Sequence, residues 1–339
     1  CNLVHHDGTD VIVYGTDDED VFEFDAAASR LVTVNRVPYD FTDAEAASVS
    51  FQGAAAADAA ILYGNDQDET VELWPGHGTL TGEDYSVVLS SVEEITAIGR
   101  EGIDVARLHD DPLGIDVFVG GPDRAELSGD GFSLRANSFR YVHANATAGS
   151  GDVATLDGDP DRFDELLVWP NMAKLFGETF FLRAMWFDSV FSNSTPGTGD
   201  LAKLYDSTGN DTFTAWPDRA ELSGDSLSVQ VNSFRWVHSY STEGDDVATL
   251  YGSDGRDVFV GKGQWGKLRG TDFYNRAVSY GKLHVYGGSG SRDVAVLRDA
   301  VLKKRIVQPD GMAQVAWLHE FERVRQRSDG DETIIDAVD

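Results

Sequence analysis

The chain has 339 residues, of which 58 are Asp or Glu and 27 are Lys or Arg, so its formal net charge is −31. Hydrophobic residues make up 41 % of it, enough for a large core, which argues against global disorder. The acidic excess excludes a general nucleic-acid binder, which needs a basic face, and disfavours adsorption to an anionic membrane. No apolar run reaches the roughly 18 residues that a membrane-spanning helix needs.

The composition predicts strands. There are 35 Gly and only 9 Pro, and Val, Thr, Phe and Tyr are frequent. Asp, which favours turns and caps, is far commoner than Glu, which favours helix. We therefore expect an all-β protein of short strands joined by Asp/Gly turns.

Residues 1–9 form an N-terminal lead-in that contains Cys1, the only cysteine. A single cysteine excludes an intramolecular disulfide. Three interpretations of a chain that starts at Cys1 stay open. It is a piece cut from a longer protein, a mature lipoprotein anchored to the cell surface through a lipid on Cys1, or an N-terminal nucleophile.

One phrase returns along the whole chain and defines its organisation. It reads Asp-Val-Ala-Thr-Leu-Asp-Gly at 152–158 and Asp-Val-Ala-Thr-Leu-Tyr-Gly at 246–252. Weaker copies begin 46–48 residues apart, at Asp10, Asp58, Asp104, Asp200 and Asp293. This spacing predicts six β-repeats and a degenerate terminal cap, numbered 1 to 7: 10–57, 58–103, 104–151, 152–199, 200–245, 246–292 and 293–339.

Landmarks inside the repeats also recur. Ten to twelve residues after the opening aspartate comes a second one: Asp20, Asp68, Asp116, Asp164, Asp211 and Asp257. An apolar stretch, a Leu-x-Gly phrase and a longer alternating segment follow, and repeats 3 and 5 match best. The pattern predicts four or five short strands in each repeat.

Two architectures can bury such repeats. In a right-handed parallel β-solenoid (β-helix), each repeat supplies two coils, in agreement with Ala-x-Leu-x-Gly at 220–224 and again at 248–252. In a seven-bladed β-propeller, each repeat is one four-stranded blade. A propeller closes its ring with a completing strand, whereas repeat 7 is degenerate, so we favour the solenoid.

The turns Tyr251-Gly-Ser-Asp-Gly-Arg-Asp257 and Asp206-Ser-Thr-Gly-Asn-Asp211 resemble the Gly-Gly-x-Gly-Asn-Asp phrase of hemolysin-type (RTX) repeats. The chain also resembles the acidic Asp/Gly-rich tandem repeats of very large secreted bacterial surface proteins. The first resemblance implies calcium binding, and the second implies an extracellular or cell-surface location. RTX phrases recur every nine residues in that family, whereas here they recur about every 47.

Turn aspartates are the candidate metal ligands, because Ca²⁺ takes six to eight oxygens from carboxylates, backbone carbonyls and water. If equivalent turns stack, their aspartates form an acidic edge. The alternative is that these aspartates cap turns and stay solvated. The predicted ligands are Asp159, Asp164, Asp206, Asp211, Asp254 and Asp257.

Repeat 6 is the one place with clustered basic and aromatic residues. Lys and Arg would pair with carboxylate or sulfate groups, and Trp and Tyr would stack on sugar rings. A patch that contacts a neighbouring domain or another copy of the chain is the alternative. The candidate ligand-binding residues are Trp265, Lys267, Arg269, Tyr274, Arg276, Tyr280 and Lys282.

Two functions are compatible with these patterns. The first is a non-catalytic extracellular structural or adhesive repeat module of a bacterial surface protein, stabilised by calcium. The alternative is a carbohydrate-active β-solenoid that binds or cleaves an acidic polysaccharide near repeat 6. No catalytic phrase was found, so an enzyme would be expected only as a polysaccharide lyase or glycoside hydrolase. The expected partners are neighbouring domains, further copies, or a cell-surface polysaccharide.

Overall fold

The computed structural model describes residues 3–147, 151–225, 227–290, 292–298, 301–302, 306–307, 315–328 and 331–338. Cys1 lies outside them. Within these ranges all regular structure is β-strand and there is no helix. The chain divides into two compact bodies, the first formed by Cys1–Asp157 and Thr179–Asp188, the second by Gly158–Glu178 and Ser189–Asp339.

The first body contains eighteen strands in two sheets. They are β1 (Val4–Asp7), β2 (Asp10–Tyr14), β3 (Val21–Asp25), β4 (Leu31–Val34), β5 (Val37–Tyr39), β6 (Ser48–Gln52), β7 (Ala59–Tyr63), β8 (Thr70–Trp74), β9 (Gly76–Thr81), β10 (Ser86–Val92), β11 (Glu94–Ile98), β12 (Val105–His109), β13 (Val117–Gly120), β14 (Arg124–Gly129), β15 (Phe132–Asn137), β16 (Tyr141–Asn145), β17 (Val153–Asp157) and β20 (Phe181–Met185).

We name the sheet that holds the first strand of odd-numbered repeats sheet A and the other sheet B. In the first body, sheet A1 has the order β1-β2-β6-β10-β9-β8-β12-β16-β20. Sheet B1 has the order β5-β4-β3-β7-β11-β15-β14-β13-β17.

The second body contains the remaining strands. They are β18 (Glu165–Trp169), β19 (Met172–Phe176), β21 (Ser189–Asn193), β22 (Leu201–Tyr205), β23 (Thr212–Ala215), β24 (Arg219–Gly224), β25 (Leu227–Asn232), β26 (Trp236–Tyr240), β27 (Val247–Tyr251), β28 (Val258–Lys262), β29 (Trp265–Arg269), β30 (Tyr274–Val278), β31 (Lys282–Tyr286), β32 (Val294–Arg298), β33 (Val301–Leu302), β34 (Ile306–Val307), β35 (Val315–His319), β36 (Phe321–Ser328) and β37 (Asp331–Val338).

Sheet A2 of this body has the order β19-β18-β22-β26-β30-β29-β28-β32-β36-β37. Sheet B2 has the order β21-β25-β24-β23-β27-β31-β35. The two short strands β33 and β34 pair with each other.

Each of repeats 1 to 6 places five strands in a fixed pattern. A single strand enters one sheet, a three-stranded antiparallel meander follows in the other sheet, and a single strand returns to the first. Repeat 3 has its meander β13–β15 in sheet B1, whereas repeat 2 has its meander β8–β10 in sheet A1. Repeats 5 and 6 alternate in the same way, with β23–β25 in B2 and β28–β30 in A2. Repeats 3 and 5, the most similar pair in sequence, have the same arrangement within their own bodies, with single strands in sheet A1 or A2 and the meander in sheet B1 or B2.

Parallel pairing between successive coils, both within and between repeats, confirms the predicted all-β solenoid. Ala59 pairs with Glu94 and Tyr141 with Phe181, so parallel partners in the first body are 35 to 40 residues apart. A propeller would keep the strands of one repeat in one blade, so the alternative architecture is wrong for this chain.

Strand alternation explains the core. Inward-facing residues of the two sheets are apolar and buried, and Phe22 of sheet B1 stacks on Phe51 of sheet A1 with ring centroids 4.9 Å apart. Each such aromatic side chain contributes roughly 1.5–3 kcal/mol of burial energy. In the second body, Phe213 and Leu283 are buried in the same way.

The corner after the meander follows a rule of its own in repeats 3 to 6. One residue there has left-handed backbone geometry, as at Ser233 with φ 64° and Ser279 with φ 65°. The aromatic residue that follows turns inward and is buried, as Phe234 and Tyr280 are. Tyr280 is therefore a core residue.

Candidate metal centres and a basic outer face

Buried acids join successive repeats. The backbone N–H of Asp116 donates to Oδ1 of Asp152, the opening aspartate of the next repeat, at 2.8 Å. In return, the backbone N–H of Val153 donates to the carbonyl of Asp116 at 3.0 Å. We name this reciprocal arrangement the acid lock. It recurs at six pairs: Asp20–Asp58, Glu69–Asp104, Asp116–Asp152, Asp164–Asp200, Asp211–Asp246 and Asp257–Asp293.

In each lock, the acid that donates its backbone N–H also caps the turn that precedes it. Asp116 Oδ2 accepts from the backbone N–H of Asp111 at 2.8 Å, and Asp211 Oδ2 accepts from that of Ser207 at 3.1 Å. The prediction of turn-capping aspartates is thus confirmed, but the capping carboxylates are buried, not solvated. In repeat 2 the capping acid is Glu69, and the predicted Asp68 is exposed one residue before it.

A third aspartate joins the lock in repeats 3 and 5. Asp110 and Asp206 directly follow the first strand of their repeats. The same position is glycine in the other described repeats, at Gly15, Gly64, Gly158 and Gly252. At Gly158 a Cβ would lie 2.7 Å from Asp164 Oδ2, so an aspartate does not fit there without rearrangement.

Two groups of three carboxylates result, one in each body. The first cluster is Asp110, Asp116 and Asp152, and the second is Asp206, Asp211 and Asp246. In each cluster one oxygen from every residue lies within 4.8 Å of the others. All six residues are at most 8 % exposed. None of the ion pairs found among the described residues involves Asp110, Asp116, Asp206, Asp211 or Asp246.

Hydrogen bonds satisfy these carboxylates only in part. In the second cluster, Asp206 accepts from the hydroxyl and backbone N–H of Thr242, at 2.8 and 3.1 Å. Thr147 donates to Asp110 in the same way. Oδ1 of Asp116 and Oδ1 of Asp211 are buried and accept no hydrogen bond. Each cluster therefore gathers more negative charge than its donors compensate.

Burial raises the pKa of three of these carboxyl groups, Asp110, Asp116 and Asp206. The pKa of Asp116 rises to about 6, and the nearby carboxylates of Asp152 and Asp110 add to the effect. The pKa of Asp206 also rises to about 6, mainly through burial, with Asp246 and Asp211 contributing. These shifts mean that the ionised clusters are costly, and a bound cation would relieve that cost.

The donor set fits a hard divalent cation. Three carboxylates and a threonine hydroxyl are oxygen ligands of the kind that Ca²⁺ prefers, and water can complete six to eight positions. There is no His or Cys in either cluster, so the donor set is unlike that of structural zinc sites.

The predicted metal ligands are only partly gathered. Asp206 and Asp211 lie in the second cluster. Asp164 is in an acid lock, and it accepts from the backbone N–H of Asp159 at 2.6 Å. Asp257 is in another lock, whereas Asp254 is exposed and accepts from the Ser289 hydroxyl. The clusters also contain four residues outside the six predicted ligands: Asp110, Asp116, Asp152 and Asp246. Their signal in the sequence is the Asp-for-Gly exchange after the first strand, taken together with the opening aspartate of the next repeat.

The structure brings five of the seven basic and aromatic candidates together on the outer face of sheet A2. They are Trp265, Lys267, Arg269, Tyr274 and Arg276, on the neighbouring strands β29 and β30. Lys282 lies on β31 of sheet B2. Tyr280 is 1 % exposed, and its hydroxyl is 2.6 Å from Ser239 Oγ, because it fills the corner position described above.

Among the residues that the structure describes, no helix could cross a membrane. No protein-family profile matches the chain, and no curated protein is detectably similar to it.

Proposed function

We propose that this chain is a non-catalytic structural repeat module of an extracellular bacterial surface protein, and that Ca²⁺ stabilises it at two three-aspartate clusters. The observation that carries the proposal is the pair of equivalent buried clusters, in which Asp116 Oδ1 and Asp211 Oδ1 lack any donor. A divalent cation supplies the missing positive charge. The location rests on the resemblance of the repeats to secreted bacterial proteins.

A stacked solenoid suits a structural role, because each acid lock fixes one repeat to the next and the locks recur along the chain. Calcium at Asp110 or Asp206 would add a further link. Asp110 also accepts a hydrogen bond from Thr147, and Asp206 accepts one from Thr242. One ion would therefore stabilise the loop that carries the threonine together with the turn of the lock.

Calorimetric titration of the chelator-treated protein with CaCl₂ tests the proposal. We expect two sites in the native sequence, one in Asp206→Gly and none in Asp110→Gly/Asp206→Gly. Glycine is the matched exchange, because the other described repeats carry it at this position. Asp206→Asn keeps the side-chain volume and should also lose one site. Asp254→Asn, which removes an exposed acid outside both clusters, should keep two sites.

Thermal unfolding gives a second measurement. Calcium at 100 times its Kd stabilises a one-site body by about 2.7 kcal/mol. A body of roughly 170 residues has an unfolding entropy of about 0.35 kcal/mol/K, so its Tm should rise by about 8 °C. The proposal fails if CaCl₂ and EGTA give the same Tm, or if the double glycine variant keeps the calcium-dependent rise.

A further inference from the structure

We propose that the outer face of sheet A2, from β22 of repeat 5 through repeat 6 to β32 of repeat 7, binds a linear, carboxylate-bearing polysaccharide. This inference goes beyond the structural role and does not depend on calcium.

The charge of this face is opposite to that of the whole chain. The six strands β22, β26, β28, β29, β30 and β32 present three outward side chains each. None of these side chains is acidic, in a chain of net charge −31. Six of them are Lys or Arg: Lys203, Lys262, Lys267, Arg269, Arg276 and Arg298.

A continuous column of basic residues runs across the strands. Lys203 is directly opposite His238, His238 is opposite Arg276, and Arg276 is opposite Lys267. Neighbouring strands are about 4.8 Å apart, so the column offers a nitrogen group at each step. Burial, with Arg276 and Lys203 nearby, lowers the pKa of His238 to about 4. His238 is thus neutral at pH 7 and available for hydrogen bonding.

Within the described part of the chain, the two central cations, Arg276 and Lys267, contact aromatic rings but have no carboxylate partner. Lys203 pairs with Glu165 at 2.6 Å, but no carboxylate of the described residues forms an ion pair with Arg276 or Lys267. Nε of Arg276 is buried and donates no hydrogen bond. The guanidinium lies 5.3 Å from the Trp265 ring centroid, which positions it without supplying an acceptor. A carboxylate is an acceptor that guanidinium groups can bind through two parallel hydrogen bonds.

The shape of the site favours an extended ligand over a compact anion. The column is a line across four neighbouring strands, and one sugar of an extended chain is close in length to the strand spacing. The rings of Tyr205 and Tyr240 beside it stack on each other at 4.9 Å, so their edges and hydroxyl groups, more than their faces, are open to a sugar. The site therefore recognises the charged and hydroxyl groups of a polysaccharide more than the faces of its sugar rings.

The test is the binding of polygalacturonate oligomers in EGTA at about 50 mM salt, where exposed charges are only partly screened. Arg276→Gln and Lys267→Gln should each weaken binding about tenfold, since a hydrogen bond to a charged group has about that value. The matched control is Arg219→Gln. It removes the same charge from the outer face of sheet B2 in the same body, where Arg219 already pairs with Glu221. We expect this variant to bind as the native chain does.

Neutral dextran and single-stranded DNA complete the experiment. Neither should compete with polygalacturonate. The proposal is overturned if polygalacturonate does not bind, if Arg219→Gln weakens binding as much as Arg276→Gln, or if DNA binds equally well. Urea unfolding of each variant identifies any that fails to fold, and Arg276→Lys, which keeps the charge, should then recover part of the affinity. Because EGTA is present throughout, failure here leaves the calcium proposal standing, and the reverse also holds.

Discussion

Lowering the pH from 7.5 to 5 in EGTA should raise the free energy of unfolding of this protein, whereas acidification does not stabilise most proteins. The reason is the raised pKa of buried carboxyl groups. Asp116 has a pKa of about 6 in the folded chain against an ordinary value of 3.8. A carboxyl group with a raised folded pKa favours the protonated folded state, so stability is lowest above pH 7 and rises as the pH falls through 6 towards 3.8.

The magnitude follows from the two pKa values. Between pH 7.5 and 5, the proton taken up by Asp116 adds about 1.4 kcal/mol to the free energy of unfolding. Asp206, whose pKa is also about 6, adds a similar amount. Asp164 and Glu69 have pKa values raised to about 7 by burial and act in the same direction.

Urea unfolding at pH 7.5, 6.5 and 5 measures this gain. Lower net charge at pH 5 also reduces repulsion, whereas His143 and His238 oppose the gain, because burial lowers their folded pKa to about 4 and only the unfolded imidazoles take up protons above pH 5. A variant is therefore needed to isolate the buried carboxyl group. Asp116→Asn should lose about 1.4 kcal/mol of the pH-dependent gain. Asp254→Asn, an exposed acid, should keep all of it. An identical pH dependence in Asp116→Asn and the native chain would contradict the claim that protonation of Asp116 stabilises the fold. Lower stability at pH 5 than at pH 7.5 would contradict the claim that the buried carboxyl groups dominate the pH dependence.

Two further predictions concern the locks and the core. Asp200→Ala leaves the buried backbone N–H of Asp164 without its acceptor, so we expect a loss of about 1–3 kcal/mol in urea unfolding. The exposed opening aspartate of repeat 1 is the control, and Asp10→Ala should change stability by less than about 0.5 kcal/mol. Phe213→Ala should cost about 3–5 kcal/mol because the ring is fully buried. Leu113→Ala, at a site 96 % exposed, should cost under about 0.5 kcal/mol, and equal losses would contradict the assigned core.

The sequence was sufficient for the solenoid because its evidence is local and repeated. The opening aspartate and the alternating strands recur with little change, and each marks a turn or a buried face. Sequence spacing alone was not sufficient to place individual acids. Asp68 was predicted to be the second acid of repeat 2, but Glu69 takes that place, and its longer side chain still reaches the backbone N–H of Asn65 at 3.1 Å.

Tyr280 shows a different limit. In a basic and aromatic segment it reads as a ligand-binding residue, yet the left-handed Ser279 before it turns the ring into the core. Comparison with Ser233-Phe234 in repeat 5 would have indicated this, because the equivalent aromatic residue is a purely apolar Phe. Charge and residue type identified the outer face, whereas burial had to be read from the equivalent position in another repeat.

The alternation of sheets explains why the candidate sites could not be found one repeat at a time. Because single strands and meanders alternate between sheets, the true structural period is two repeats, and Asp110 and Asp206 are 96 residues apart. The same alternation brings β22 and β26 of repeat 5 beside the meander of repeat 6. Lys203 and His238 thus extend a basic patch that the sequence confined to repeat 6. Features that look unrelated when single repeats are aligned become neighbours when pairs of repeats are compared, so a site in this fold should be sought at a two-repeat interval.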